Sequence, residues 1–132
     1  MSPTAMDLLD AIRAHLAEFE LPAPWSVTVT CSLAGPGVSA QLAGQEPPEI
    51  AAALLAWADT LDGVSAEAWR VPSGDSVHLS VTGRLPGGAT LRVFDAAPFT
   101  QRGPGADLEP GTRCALRLGS LRHLATLGEV LA

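Results

Sequence analysis

Apolar residues recur along this chain in two rhythms, and each predicts its own kind of element. The first is helical. Leu9, Ile12, Leu16 and Phe19 repeat at three- and four-residue spacing, which puts them on one stripe of a helix. Thr4 followed by Asp7 reads as a capping box at its start, and Leu21-Pro22-Ala23-Pro24 stops it. Ile50, Leu54, Trp57 and Leu61 form a second stripe, opened by Gln45-Glu46-Pro47-Pro48 and expected to close on Gly63. Leu121, Leu124 and Leu127 form a third, with Ser120 as its expected cap.

The second rhythm has period two. Trp25, Val27, Val29, Cys31 and Leu33 alternate with Ser26, Thr28, Thr30 and Ser32, which predicts a strand with one buried face. Gly35-Pro36-Gly37 is expected to turn the chain into a weaker strand carrying Val38, Ala40 and Leu42. Ser65–Val71 is a further strand of ambiguous facing: Ala66 and Ala68 lie on one side, Glu67, Trp69 and Val71 on the other. From Ser76 to Val93 the alternation is clear, with Val77, Leu79, Val81, Leu91 and Val93 on one face and His78, Ser80, Thr82, Arg84, Thr90 and Arg92 on the other. Leu85-Pro86-Gly87-Gly88-Ala89 fits a three-residue hairpin loop with Gly88 in the left-handed position. That loop sets Thr82 opposite Arg92 and Arg84 opposite Thr90. Residues 97–111 form a loop rich in proline and glycine, and a last strand then alternates Cys114, Leu116 and Leu118 with Arg113, Ala115 and Arg117.

The element order is αββ-αββββ-α. Strands apolar on one side need cover on one side, and three amphipathic helices can supply it. The chain is therefore expected to be a single α+β domain over residues 1–132, an antiparallel sheet with helices packed on one face. In order alone it is similar to acidic secretion chaperones, which combine three helices with a twisted sheet; no residues match.

Composition adds bounds. A chain of 132 residues, 47% hydrophobic, can bury roughly two-thirds of its unfolded surface without staples. The apolar run from Ile50 to Ala58 is too short to cross a bilayer. The first residues, MSPTAMDLLD, lack the basic region and apolar core of a secretory signal. A soluble, cytoplasmic protein with no membrane partner is expected. Lys, Asn and Tyr are absent and Ile occurs twice, which fits a high-GC bacterial source and leaves arginine as every fixed cation. The net charge of −6 is uneven. Residues 1–75 hold two Arg against ten carboxylates, a balance of −8, and residues 76–132 hold six Arg against four, a balance of +2. An acidic chain without clustered basic residues is an unlikely nucleic-acid binder.

Little in the sequence points to catalysis. Cys31, Cys114, His15, His78 and His123 show no metal-ligand spacing, so neither a metal nor a cofactor is expected. Both cysteines fall on apolar strand positions and are expected in the core. His15 and His123 read as solvated helix residues, and His78 as a solvated strand histidine on a face where it could titrate. No nucleophile elbow is present, and the glycine pairs lack the Lys-Ser/Thr of a phosphate loop.

What remains is the polar face of the central hairpin. Arg84, Arg92, His78 and Thr82 share it, Phe94 lies beside them, and Arg113 and Arg117 join if the last strand pairs into the same sheet. Guanidinium forks bind carboxylates in bidentate fashion. The expected function is a non-enzymatic protein-interaction module, a small adaptor, regulator or chaperone-like protein. Its partner would be a protein with an acidic surface, or a second copy in a homodimer. Two alternatives stand beside it: a small-molecule binder or minor enzyme with a pocket between sheet and helices, and a nucleic-acid-linked regulator.

Overall fold

A computed structural model describes residues 3–32, 35–44 and 46–131. The elements run α1 (Ala5–Glu18), β1 (Ser26–Ser32), β2 (Gly35–Gln41), α2 (Pro47–Ala58), β3 (Asp62–Arg70), β4 (Ser76–Arg84), β5 (Thr90–Pro98), β6 (Arg113–Leu116) and α3 (Leu118–Leu131). This is the expected order, and the class is α+β. The six strands form one sheet in the order β1-β2-β5-β4-β3-β6, antiparallel except where β2 runs parallel to β5.

Alternation builds the sheet's two faces. Val38, Ala40, Ala66, Ala68, Val77, Leu79, Val81, Leu91 and Val93 are buried on one side, in a single cluster with Leu8 and Ile12 of α1, Ile50, Leu54 and Trp57 of α2, and Leu121 of α3. The helices therefore cover that side. Trp57 is wholly buried, and its indole N–H donates to the Pro22 carbonyl at 3.0 Å. The β4–β5 turn has the expected register, Thr82 opposite Arg92 and Arg84 opposite Thr90. Leu85 and Ala89 close it with a hydrogen bond of 2.9 Å, and Gly88 takes φ +95°, a left-handed conformation that glycine adopts without steric cost.

The parallel β2–β5 pair requires a crossover, and two polar groups hold it. Leu42 N–H donates to the Phe94 carbonyl at 2.9 Å, and Gly44 N–H donates to Asp95 Oδ2 at 2.5 Å. The other Asp95 oxygen accepts from Ala96 N–H at 2.8 Å. Burial pushes the Asp95 carboxyl up, against the pull of the Gly44 and Ala96 amides and of His78. At Gly44 a Cβ would stand 2.8 Å from Ile50 Cγ1 and 2.9 Å from Asp95 Oδ2, so glycine is what lets the crossover lie against α2.

Helix α1 opens on the expected capping box, with Thr4 N–H donating to Asp7 Oδ2 at 2.9 Å and Asp7 N–H to Thr4 Oγ1 at 3.2 Å. Its buried stripe is rotated from expectation. Leu8, Ile12 and His15 face inward, and Leu9, Leu16 and Phe19 flank them half-buried. His15 is 3% exposed rather than solvated, between the Phe19 ring at 4.8 Å and the Trp57 ring at 6.1 Å. The Thr60 hydroxyl donates to the Trp57 carbonyl at 2.8 Å, so it accepts from His15 Nε2–H at 2.7 Å. That fixes the neutral tautomer and leaves Nδ1 buried with no partner among the described residues.

Other expectations are corrected at the sheet's two edges. Trp25 is 74% exposed and both cysteines are exposed, not core. Cys31 lies on β1 and Cys114 on β6, the outermost strands of the sheet. Gly35, Pro36 and Gly37 are strand residues of β2, paired with Ser32, Cys31 and Thr30, rather than the turn. Proline is tolerated there because the β2–β5 pairing starts at Gly37. The turn itself, and the expected inward Leu33, lie outside the described residues. Helix α2 ends at Ala58, capped by Asp59, and Gly63 sits instead in the irregular start of β3 at φ +61°. Helix α3 starts before Ser120, and Leu127 is exposed rather than inward.

Candidate protein-binding face

The sheet's other side carries the residues that the pairing registers bring into rows. One row is Arg113, Trp69, His78 and Ala96, read across β6, β3, β4 and β5. The next is Ala115, Glu67, Ser80, Phe94, Gln41 and Ser26. The third is Ser65, Thr82, Arg92, Ser39 and Thr28. The pleat alternates strictly along each strand, so these residues face away from the helices that bury their neighbours.

At the centre the rows condense into one cluster. The His78 ring stacks on Phe94 at 5.6 Å with 13° between planes, and meets the edge of Trp69 at 5.1 Å. Arg92 Cζ lies 4.3 Å above the Phe94 ring and Arg113 Cζ 5.7 Å from the Trp69 ring. Arg113 also pairs with Glu67 at 3.2 Å. Sheet spacing causes this geometry: Trp69 stands directly opposite both His78 and Arg113, His78 and Phe94 are diagonal neighbours within reach of long side chains, and Arg92 and Phe94 lie two residues apart on one face of β5. The rings hold the guanidiniums in place and leave donors pointing outward, each such cation–ring contact contributing about 0.5–1 kcal/mol at an exposed site.

Electrostatics follow from that packing. Burial pushes the His78 imidazole down, Arg92 pushes it further, and Asp95 pulls it back. Desolvation and Arg92 thus favour the neutral imidazole, and the ring is half-buried in the stack rather than solvated as its polar parity suggests. Burial also lowers Arg92, with Glu67 opposing and Arg113 adding to the shift. A guanidinium still remains a cation at any physiological pH.

The expected site residues divide. His78, Phe94, Arg92 and Arg113 are in the cluster, and Thr82 stands directly opposite Arg92. Arg84 shares the face in an outer row, exposed, between Asp62 and Thr90. Arg117 lies beyond the end of β6, in the connection to α3, and enters no row. Trp69 and Glu67 were missed. Their signal was the small size of Ala66 and Ala68, which fill the core side of β3 and leave the large residues outside.

Among the described residues no group of three His, Cys, Asp or Glu side chains could hold a metal ion. No described helix is long and apolar enough to cross a membrane. No family model matches the chain, and no curated protein or solved structure matches it.

Proposed function

We propose that this protein is a non-enzymatic interaction module whose uncovered sheet face docks an acidic protein surface. One observation carries the reading: two guanidiniums, Arg92 and Arg113, rest against a continuous ring series of Phe94, His78 and Trp69 on a face that none of the described helices covers. Aromatic residues and arginine are the types enriched at protein interfaces and their hot spots. The rings supply apolar area and the forks supply directional donors for carboxylates. Glu67 occupies part of Arg113, whereas Arg92 and the outer Arg84 have no carboxylate partner among the described residues.

The test is association. Wild type and the Arg84→Glu/Arg92→Glu variant are compared by pull-down and by light scattering at several salt concentrations. Loss of partner in the variant, with wild-type binding weakening as salt rises, is expected. If a second copy is the partner, scattering reports a dimer that the variant lacks. Association indifferent to both changes would reduce the face to solvated sheet.

A further inference from the structure

On the opposite, helix-covered side lies a cavity of about 230 Å³ that the docking face does not use. Buried Leu79 of β4 and Leu121 of α3 line it, with half-buried Leu116 and Leu124 as walls. Gly103-Pro104-Gly105 closes one side. The exposed residues of its lining are Arg102, Ser120 and His123, so its interior is apolar and its rim polar.

The wall formed by the loop is fixed. Residues 99–112 run between β5 and β6 without helix or strand, and loops this long in compact domains usually serve a function. Arg70 clamps the loop from β3. Its Nη1 donates to the Leu108 carbonyl at 2.9 Å, its Nε to the Gly74 carbonyl at 3.2 Å, and its guanidinium lies 3.6 Å over the Phe99 ring. Gly105 packs against Val77, where an added Cβ would stand 2.9 Å from Cγ1. The loop is therefore seated on the sheet, and the cavity lies between it and α3.

Arg102 at the rim makes no ion pair or hydrogen bond among the described residues. An unpaired guanidinium over an apolar floor is complementary to a small amphiphilic anion. We propose that this cavity binds a small free carboxylic acid with a short hydrocarbon body. The carboxylate meets Arg102 in bidentate fashion, with Ser120 and His123 as neighbouring hydrogen-bonding groups, and the hydrocarbon lies against Leu79, Leu116, Leu121 and Leu124. The volume sets the size. It is below the ~300–1,000 Å³ typical of drug-sized ligand sites, so it encloses only a short hydrocarbon body. A bare inorganic anion leaves the leucines unused, and a neutral hydrocarbon leaves the arginine unused.

The full chain is titrated with sodium hexanoate and followed by amide chemical shifts, with 1-hexanol and acetate as separate probes. Saturable shifts are expected around Leu79, residues 102–105 and residues 116–124. Hexanol and acetate should each bind about tenfold more weakly or worse, and Arg102→Ala should weaken hexanoate about tenfold, as loss of a charged contact does. Leu124→Trp, which fills the gap from a half-exposed wall, should abolish binding at an unchanged melting temperature. Absence of saturable shifts at these residues would overturn the proposal. So would hexanol binding as tightly as hexanoate, or hexanoate affinity untouched by Arg102→Ala. If Leu124→Trp fails to fold, the hexanol comparison and the surface variant Arg102→Ala decide alone.

Discussion

Replacing Trp57 by alanine tests whether α2 is the keystone of the helical layer. The side chain is wholly buried and touches two other parts of the fold, while its backbone carbonyl serves a third. Its indole N–H holds the Pro22 carbonyl in the α1–β1 connection. Its ring faces His15 of α1. Its backbone carbonyl receives the Thr60 hydroxyl that orients His15. Truncation of a buried Trp costs about 3–5 kcal/mol from lost transfer energy and the cavity left behind. Loss of the indole donor leaves the Pro22 carbonyl without that partner, a further cost of about 1 kcal/mol where water does not replace it. The sum approaches the lower end of the ~5–15 kcal/mol total stability of a small domain. Trp57→Ala is therefore expected to be barely folded at 25 °C. Trp57→Phe keeps a ring and loses the hydrogen bond, and should cost about 1–3 kcal/mol, combining the bond with a partly filled cavity. Urea denaturation followed by far-UV circular dichroism measures both. A loss below about 1 kcal/mol for the alanine variant would refute the placement of Trp57, since no buried aromatic comes out so cheaply.

Other perturbations read other parts of the fold. Burial pushes the His15 imidazole down, with Glu18 opposing, so its neutral form is the one the fold stabilises. That contribution is complete above the unfolded value of about 6.5 and is lost as pH falls through the lower folded value. His15→Leu should make stability fall less toward acid than in wild type in urea titrations between pH 8 and 5; His78 acts in the same sense as His15 and the raised Asp95 carboxyl in the opposite one, so the difference between the two proteins is the readout. Asp95→Asn places an NH₂ group where one of two backbone amides now donates, and should cost about 1–3 kcal/mol by denaturation, the penalty of an unsatisfied buried donor. Cys31 and Cys114 are exposed, so both should label with a thiol reagent in the native protein without denaturant; slow labelling of either would return that residue to the core.

The elements that were legible in the sequence are those with one clean periodicity. The β4–β5 hairpin could be read down to its register because strict alternation and a Pro-Gly-Gly loop admit one pairing. Helix α2 had its prolines at the first turn and a stripe that the structure buries. Ambiguity began where position in the sheet, rather than local pattern, decides burial. Val27, Val29 and Cys31 alternate as well as any residues in the chain, yet β1 is an edge strand and Cys31 is exposed. In α1 two overlapping stripes both fit a helix, and contact with Trp57 selected the one carrying His15. The parallel β2–β5 pair could not be seen from pattern, because parity is the same for either strand direction. For the candidate site, parity placed Arg92, His78 and Phe94 on one face. That Trp69 and Glu67 complete the cluster depended on the β3–β4 register, which pattern alone left open.

Association of the charge-altered face is the most direct measurement. Wild type, Arg84→Glu/Arg92→Glu and Arg92→Lys are compared for partner binding and self-association, beside thermal melts of each. Arg84 is exposed and should contribute within about 0.5 kcal/mol to stability, and Arg92 about 1 kcal/mol through its contact with Phe94, so all three should melt within a few degrees of one another. The double glutamate variant should lose the partner. Arg92→Lys should bind more weakly than wild type, because lysine keeps the charge and loses the planar fork. Binding unchanged in the double variant, in a protein that still melts like wild type, would contradict a docking role for this face.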